Sequence, residues 1–164
     1  VYIAGRMRGL PLFNFPAFDA ARDRLEALGI EVLSPADMDR AAGFDPEVWA
    51  SSFDLTLGDG PDWDKIPRGF DLVAAVNRDN AAIESADAVF VLREGADKSE
   101  NTPLEVMLAV RLGKRILTDA MSDREVVAAL GGRWELAPGP YGWIVPCFEE
   151  TPGGASCPSA KTST

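Results

Sequence analysis

Hydrophobic and polar positions along the chain follow two periods. Val1–Ala4 is an unbroken apolar-rich block and reads as a buried strand. Phe18, Ala21, Leu25 and Leu28 then recur at helical spacing, behind Asn14 as a candidate N-cap and Pro16 in the first turn. Gly29 stands where a helix usually stops, and Ile30–Leu33 reads as a second strand closed by Ser34-Pro35. This strand–loop–helix–strand unit is the seed of a parallel sheet.

Residues 37–69 break the pattern. They hold Asp37, Asp39, Asp45, Asp54, Asp59, Asp62 and Asp64, together with Trp49 and Trp63, and "LGDGPDW" interrupts any period. The segment reads as an irregular excursion with a short helix near Pro46–Phe53. It is either a plain surface loop or a lid that carries aromatics over a pocket.

Periodicity resumes near Gly69. A helix is expected over Phe70–Ala86, a strand over Ala88–Leu92 ("AVFVL"), and a loop to Thr102. A helix over Pro103–Leu112 follows, ended by Gly113, then a strand at Ile116–Leu117. Ser122 with Glu125 three residues on opens another helix with a capping-box spacing. "YGWIVPCF" reads as a last edge strand, and residues 149–164, rich in Pro, Gly, Ser and Thr, read as a disordered tail. The expectation is one α/β domain over 1–148.

Charge narrows the class of partner. The formal net charge is −10, against the basic face that a nucleic-acid polymer requires, yet a small anion can still be held by a local field. No apolar run reaches the ~18 residues of a membrane span, and the first residues lack a basic-then-apolar leader pattern. Val1 stands where a methionine is expected, so the numbered chain is expected to start just after the true beginning of a cytoplasmic protein. Cys147 and Cys157 could close a short loop or remain free thiols. Histidine is absent, which removes Ser-His-Asp and Cys-His mechanisms and histidine metal sites. Acid–base chemistry must come from carboxylates or tyrosine.

In an open parallel sheet, ligands bind at the carboxyl ends of the strands. Two loops qualify: Gly5–Gly9, with Arg6 and Arg8, and Arg93–Thr102. Glu105 has two readings. With Thr102 as N-cap and Pro103 first in the helix, it completes a capping box. It is equally a carboxylate in the first helical turn, kept ionised by the helix dipole and oriented as a nucleophile for a sugar anomeric carbon. Asp79 falls on the stripe of Leu72, Val76 and Ile83. It is in a salt bridge, with Arg78 or another arginine, or its helix begins later than Phe70, or it is a buried general acid with a raised pKa. Ser99 is a possible donor to a phosphate oxygen. Asp59, Asp62 and Asp64 do not follow the spacing of a calcium loop, and no metal is expected. "AGRMRG" matches neither a Walker loop nor a dinucleotide fingerprint.

Three segments, "YIAGRMRGLPLFNFPAF", "RDNAAIESADAVFVL" and "KSENTPLEVMLAVRLGKRI", resemble the nucleoside 2-deoxyribosyltransferase-like superfamily, in an uncharacterised branch found in phage and bacterial genomes. The resemblance covers residues 1–36 and 77–118. It implies a flavodoxin/Rossmann-like parallel sheet flanked by helices, a homodimer or higher oligomer, and no cofactor. It also implies a retaining mechanism in which Glu105 is the nucleophile, Asp79 protonates the departing base, and Tyr2 and Gly5 line the pocket. Nucleoside transferases tend to carry an acid six positions before the nucleophile, where this chain has Ser99. Relatives that hydrolyse nucleoside 5′-monophosphates are similar to it there, and in a first loop like Gly5-Arg6-Met7-Arg8-Gly9. The expected substrate is therefore a (deoxy)nucleoside 5′-monophosphate whose phosphate is held by Arg6, Arg8 and Ser99. The alternatives are a nucleotide-binding sensor without catalysis and a phage accessory protein that keeps the fold as an interaction scaffold.

Overall fold

The computed structural model describes residues 1–48, 71–94, 96, 99, 101–136 and 144–148, with backbone alone from 133 onward. Strand β1 (Tyr2–Ala4) is buried on both sides, as a short apolar strand in the middle of a parallel sheet must be. Helix α1 (Phe15–Ala27) follows, with Phe15, Phe18, Ala21 and Leu25 on its buried face. It ends as the sequence suggests: Gly29 adopts φ +75°, and Ile30 N–H returns to Leu25 O at 3.2 Å.

Between these elements the chain takes an unexpected turn. Leu12, Phe13 and Asn14 lie at φ 50°, 53° and 61°, three consecutive left-handed residues without a glycine among them. Such backbone costs roughly 1–2 kcal/mol per residue and persists only when surrounding contacts impose it. Asn14 occupies the N-cap position, yet its side chain makes no cap bond.

The expected second strand is reduced to one parallel bridge, Tyr2 to Leu33, supported by Ile3 N–H to Leu33 O at 3.0 Å and Leu33 N–H to Val1 O at 2.8 Å. Helix α2 (Pro35–Ala41) starts directly after it. The reading of 37–69 as irregular is therefore wrong at its start. Pro35 in the first turn and Asp37 near the positive end of the helix supply ordinary N-terminal signals that the density of aspartates masked. Residues 46–48 are helical, in line with the expected short helix. The remainder of that helix, Trp49, Trp63 and Asp54–Asp64 lie outside the described residues.

Helix α3 (Leu72–Ser85) is capped by Asp71, whose carboxylate accepts from Ala74 N–H at 2.9 Å. Strand β2 (Ala88–Val91), helix α4 (Asn101–Arg111), strand β3 (Arg115–Thr118) and helix α5 (Asp123–Ala129) follow. The capping box at Ser122 and Glu125 forms as its spacing predicts. The segment ending in Phe148 does not join the main sheet as an edge strand. Strand β5 (Ile144–Phe148) pairs antiparallel with β4 (Gly132–Leu136), which the sequence pattern did not announce, in a separate two-stranded sheet. Cys147 lies in β5, and Cys157 is outside the described residues.

The main sheet has the order β1-β2-β3, all parallel, with Leu33 on the outer side of β1. The chain thus moves one way from β1 to Leu33 and the other way to β2, a flavodoxin/Rossmann-like arrangement whose switch point lies between β1 and β2. Ile3, Phe90 and Leu117 pack with Phe15, Phe18, Leu25, Val126 and Val127 on the face covered by α1 and α5. Tyr2, Ala4, Val89 and Val91 pack with Ala82, Ile83, Ala86 and Ala109 on the face covered by α3 and α4. The alanines bring these two helices close to the sheet, and among the described residues Tyr2 is the one large ring on that face.

Candidate functional site

The switch point places two loops side by side, one after β1 and one after β2. Beneath them, on the α3/α4 face, lies a cluster of charged groups. Tyr2 projects from β1, and its hydroxyl donates to Glu105 Oε1 at 3.1 Å. The other carboxylate oxygen of Glu105 is buried without a hydrogen-bond partner, as is Asp79 Oδ1 on the neighbouring helix. Both groups are pushed up to about 7. Burial is the first cause in each case. For Glu105 the charge of Asp79 adds to it and the Tyr2 hydrogen bond opposes it. For Asp79 the charge of Asp39 adds and Arg78 opposes. The Tyr2 hydroxyl is itself held well above its ordinary value by burial and by Glu105.

These facts revise two expectations. Glu105 is not a capping residue. The helix starts earlier, at Asn101, and it is Ser99 Oγ that accepts from Thr102 N–H at 3.1 Å and from Thr102 Oγ1 at 2.8 Å. Nor does Glu105 keep an ordinary carboxylate pKa at this helix start, because burial and the charge of Asp79 push it up to about 7. Asp79 is not in a salt bridge with Arg78, which instead reaches from α3 to the buried Asp39 of α2. Asp79 does lie on the inward face of α3, but the stripe around it is Ala75, Ala82 and Ile83, while Val76 is exposed.

The charge of Asp79 reaches Glu105 across the two helices. The Tyr2 hydroxyl stabilises negative charge on Glu105, and Asp39 opposes negative charge on Asp79. Two carboxyls both pushed up to about 7 can supply one carboxylate and one carboxylic acid near neutral pH. An ionised carboxylate beside a neutral one, both shielded from water, is the equipment for nucleophilic attack with general-acid assistance.

The loop after β1 is held from within. Asn14 Nδ2 donates to Arg6 O at 2.8 Å, and Arg6 Nε donates to Arg8 O at 2.9 Å. Gly9 has φ +74°, the left-handed region that favours glycine, and a Cβ there would sit 2.7 Å from Arg6 Nη2 and push that guanidinium aside. Gly5 serves close packing: a Cβ would meet Leu92 Cβ at 3.0 Å and Phe18 Cζ at 3.1 Å. Ser99, although it caps α4, keeps its own proton to donate, because a hydroxyl can accept twice and still donate once.

The structure thus brings Tyr2, Glu105 and Asp79 into one cluster and sets Gly5, Arg6, Arg8, Gly9 and Ser99 in the two loops above the sheet. Asp39 and Arg78 belong to the cluster and were not singled out as site residues from the sequence. Asp39 stood in an aspartate-rich run, and a run of like residues conceals the one that is buried.

The family model for a domain of unknown function, DUF4406, matches residues 1–118. No curated protein and no solved structure matches the chain. The matched span contains the whole parallel sheet and every residue of the cluster, and stops before α5 and the β4–β5 hairpin. On this match over most of its length, the chain belongs to the DUF4406 family.

Proposed function

We propose that the protein cleaves the N-glycosidic bond of (deoxy)nucleoside 5′-monophosphates through a glycosyl-Glu105 ester, the reading implied by its resemblance to nucleoside 2-deoxyribosyltransferase-like proteins. The observation that carries it is the pair of buried carboxyls on α3 and α4, both pushed up to about 7, with the Tyr2 hydroxyl donating to Glu105. Glu105 attacks C1′ as the bond from C1′ to the base nitrogen breaks, and Asp79 passes its proton to the departing base. Water, or a second base in a transferase, then attacks C1′, gives its proton to Asp79 and frees Glu105. Arg6 and Arg8 hold the phosphate by charge-assisted hydrogen bonds, and Ser99 donates to it. Gly5 and Gly9 let the loop approach closely. The scheme runs on side chains alone.

Two further parts belong to the same proposal. A homodimer or higher oligomer would cover the apolar residues that α3 and α4 expose, since exposed patches of this kind mark interaction surfaces. Among the described residues no helix is long and apolar enough to cross a membrane, and a cytoplasmic nucleotide pool suits the substrate.

A panel of nucleoside and deoxynucleoside monophosphates, with the matching nucleosides, tests the reading by chromatography of the free base. Base release from at least one monophosphate is expected. Absence of release from every substrate would sink the glycosidase reading. Release from nucleosides only would sink the phosphate role of the loops.

A further inference from the structure

Asn14 is an asparagine at a helix start that declines to cap the helix. An N-cap asparagine ordinarily accepts from an N–H in the first turn ahead of it. Here the residue is buried, and its amide turns back eight residues to donate to Arg6 O at 2.8 Å. The left-handed run Leu12–Asn14 makes that reversal possible, because it rotates the side chain away from α1 and toward the loop after β1. Contacts on its far side hold the run in place. Phe13 meets the edge of Phe44 at 5.0 Å, Phe15 stacks on Phe44 at 5.6 Å, and Arg40 lies 4.8 Å above Phe15. The chain accepts strained backbone and gives up a helix cap, and what it obtains is one fixed carbonyl in the Gly5–Gly9 loop.

That carbonyl belongs to the residue whose guanidinium crosses the loop. With Arg6 O held by Asn14 and Arg6 Nε held by Arg8 O, both ends of Arg6 are fixed before any ligand arrives. We infer that Asn14 is a positioning residue which locks the loop with Arg6 preset for a phosphate monoester, and so sets the preference for a nucleotide over its nucleoside. The inference rests on the phosphate role given to the loop above.

The test uses the full chain and three variants. Asn14→Gly keeps the left-handed backbone and removes the clamp. Asn14→Asp keeps the shape and sets an acceptor against the Arg6 carbonyl. Leu12→Gly relieves strain and leaves the clamp intact. KM and kcat are measured on the best-cleaved monophosphate and its nucleoside, and binding of inorganic phosphate is measured by calorimetry. Loss of one hydrogen bond in a charged site corresponds to roughly tenfold. The expected result is a roughly tenfold rise in KM for the monophosphate and in Kd for phosphate in both Asn14 variants, with constants for the nucleoside within about twofold and Leu12→Gly like wild type. Equal losses on both substrates, or no change in either Asn14 variant, would overturn the inference while leaving the glycosidase reading intact. A wild-type protein that cleaves nothing, yet binds phosphate tightly and loses that binding in Asn14→Gly, overturns the glycosidase reading and supports the clamp. A wild type that binds no phosphate overturns the clamp.

Discussion

The two faces of the sheet are built on opposite plans. Under α1 and α5 the core is large and apolar, with Phe15, Phe18, Leu25 and Phe90 nearly free of solvent contact. The outer surface there is laced with ion pairs. Arg22 meets Asp19, Asp23 and Asp37, Arg40 meets Asp19 and Asp37, and Arg24 ties α1 to Asp123 of α5. Under α3 and α4 the arrangement is inverted. Beside Ile83, Val89 and Val91 the interior holds alanines, a tyrosine hydroxyl and two carboxyls with unpartnered oxygens. The exterior shows Val73, Leu104, Met107 and Val110 at 70, 57, 53 and 59% of their full exposure. The first face follows the rule that charge stays in water and hydrocarbon stays out of it. The second breaks the rule on both sides, and such violations concentrate where binding and chemistry take precedence over stability.

The sharpest way to break this comparison is to remove a carboxyl from the second face. Glu105→Gln should reduce base release by about 10⁴-fold or more while leaving the melting temperature at neutral pH equal or higher, because a buried charge is removed. Unchanged cleavage would remove Glu105 from the chemistry. On the first face the pattern should reverse. Phe18→Ala should cost about 3–5 kcal/mol, seen as a fall in melting temperature of roughly 10 °C, with kcat per folded molecule nearly intact. A Phe18 variant of normal stability would show that the division between the faces is wrong.

A smaller effect separates the faces by pH. In the unfolded chain Asp79 and Glu105 titrate in the ordinary carboxylate range, whereas in the fold both are pushed up to about 7. The folded state then binds more protons between those values. Its stability from this pair is complete at low pH and is lost as pH rises through about 7. Asp19, on the first face, is shifted down by Arg40 and so acts in the opposite sense at lower pH. Melting temperature should therefore decline from roughly pH 4 to pH 7 and level off above that, and the double variant Asp79→Asn, Glu105→Gln should flatten the decline. An equal slope in both proteins would place the titration elsewhere.

The parts of this molecule that were legible in the sequence rest on residues close together along the chain. Pro16, Gly29 and the spacing of Phe18, Ala21 and Leu25 defined α1, and the Ser122–Glu125 box opened α5. The apolar run at β2 and its neighbouring helices were enough for an α/β fold with a parallel sheet, since a strand buried on both faces reads as a continuous apolar run. The start of α4 shows where local signals run out. Ser99-to-Thr102 and Thr102-to-Glu105 share the same three-residue spacing, and only the fold selects the first as the cap.

What tertiary structure alone decided is the set of partners. Glu105 meets Tyr2 across 103 positions of sequence, and Arg78 finds Asp39 across 39. Asn14 reaches only eight residues back, but it does so from a left-handed turn that Leu12 and Phe13 disfavour and whose Phe13 packs on Phe44. Local pattern determines which elements form, because hydrogen bonds and periodic burial act within a few residues. The pKa of a carboxyl, and so its use, depends on desolvation and on charges brought in from other elements, and those exist only once the helices have closed over the sheet.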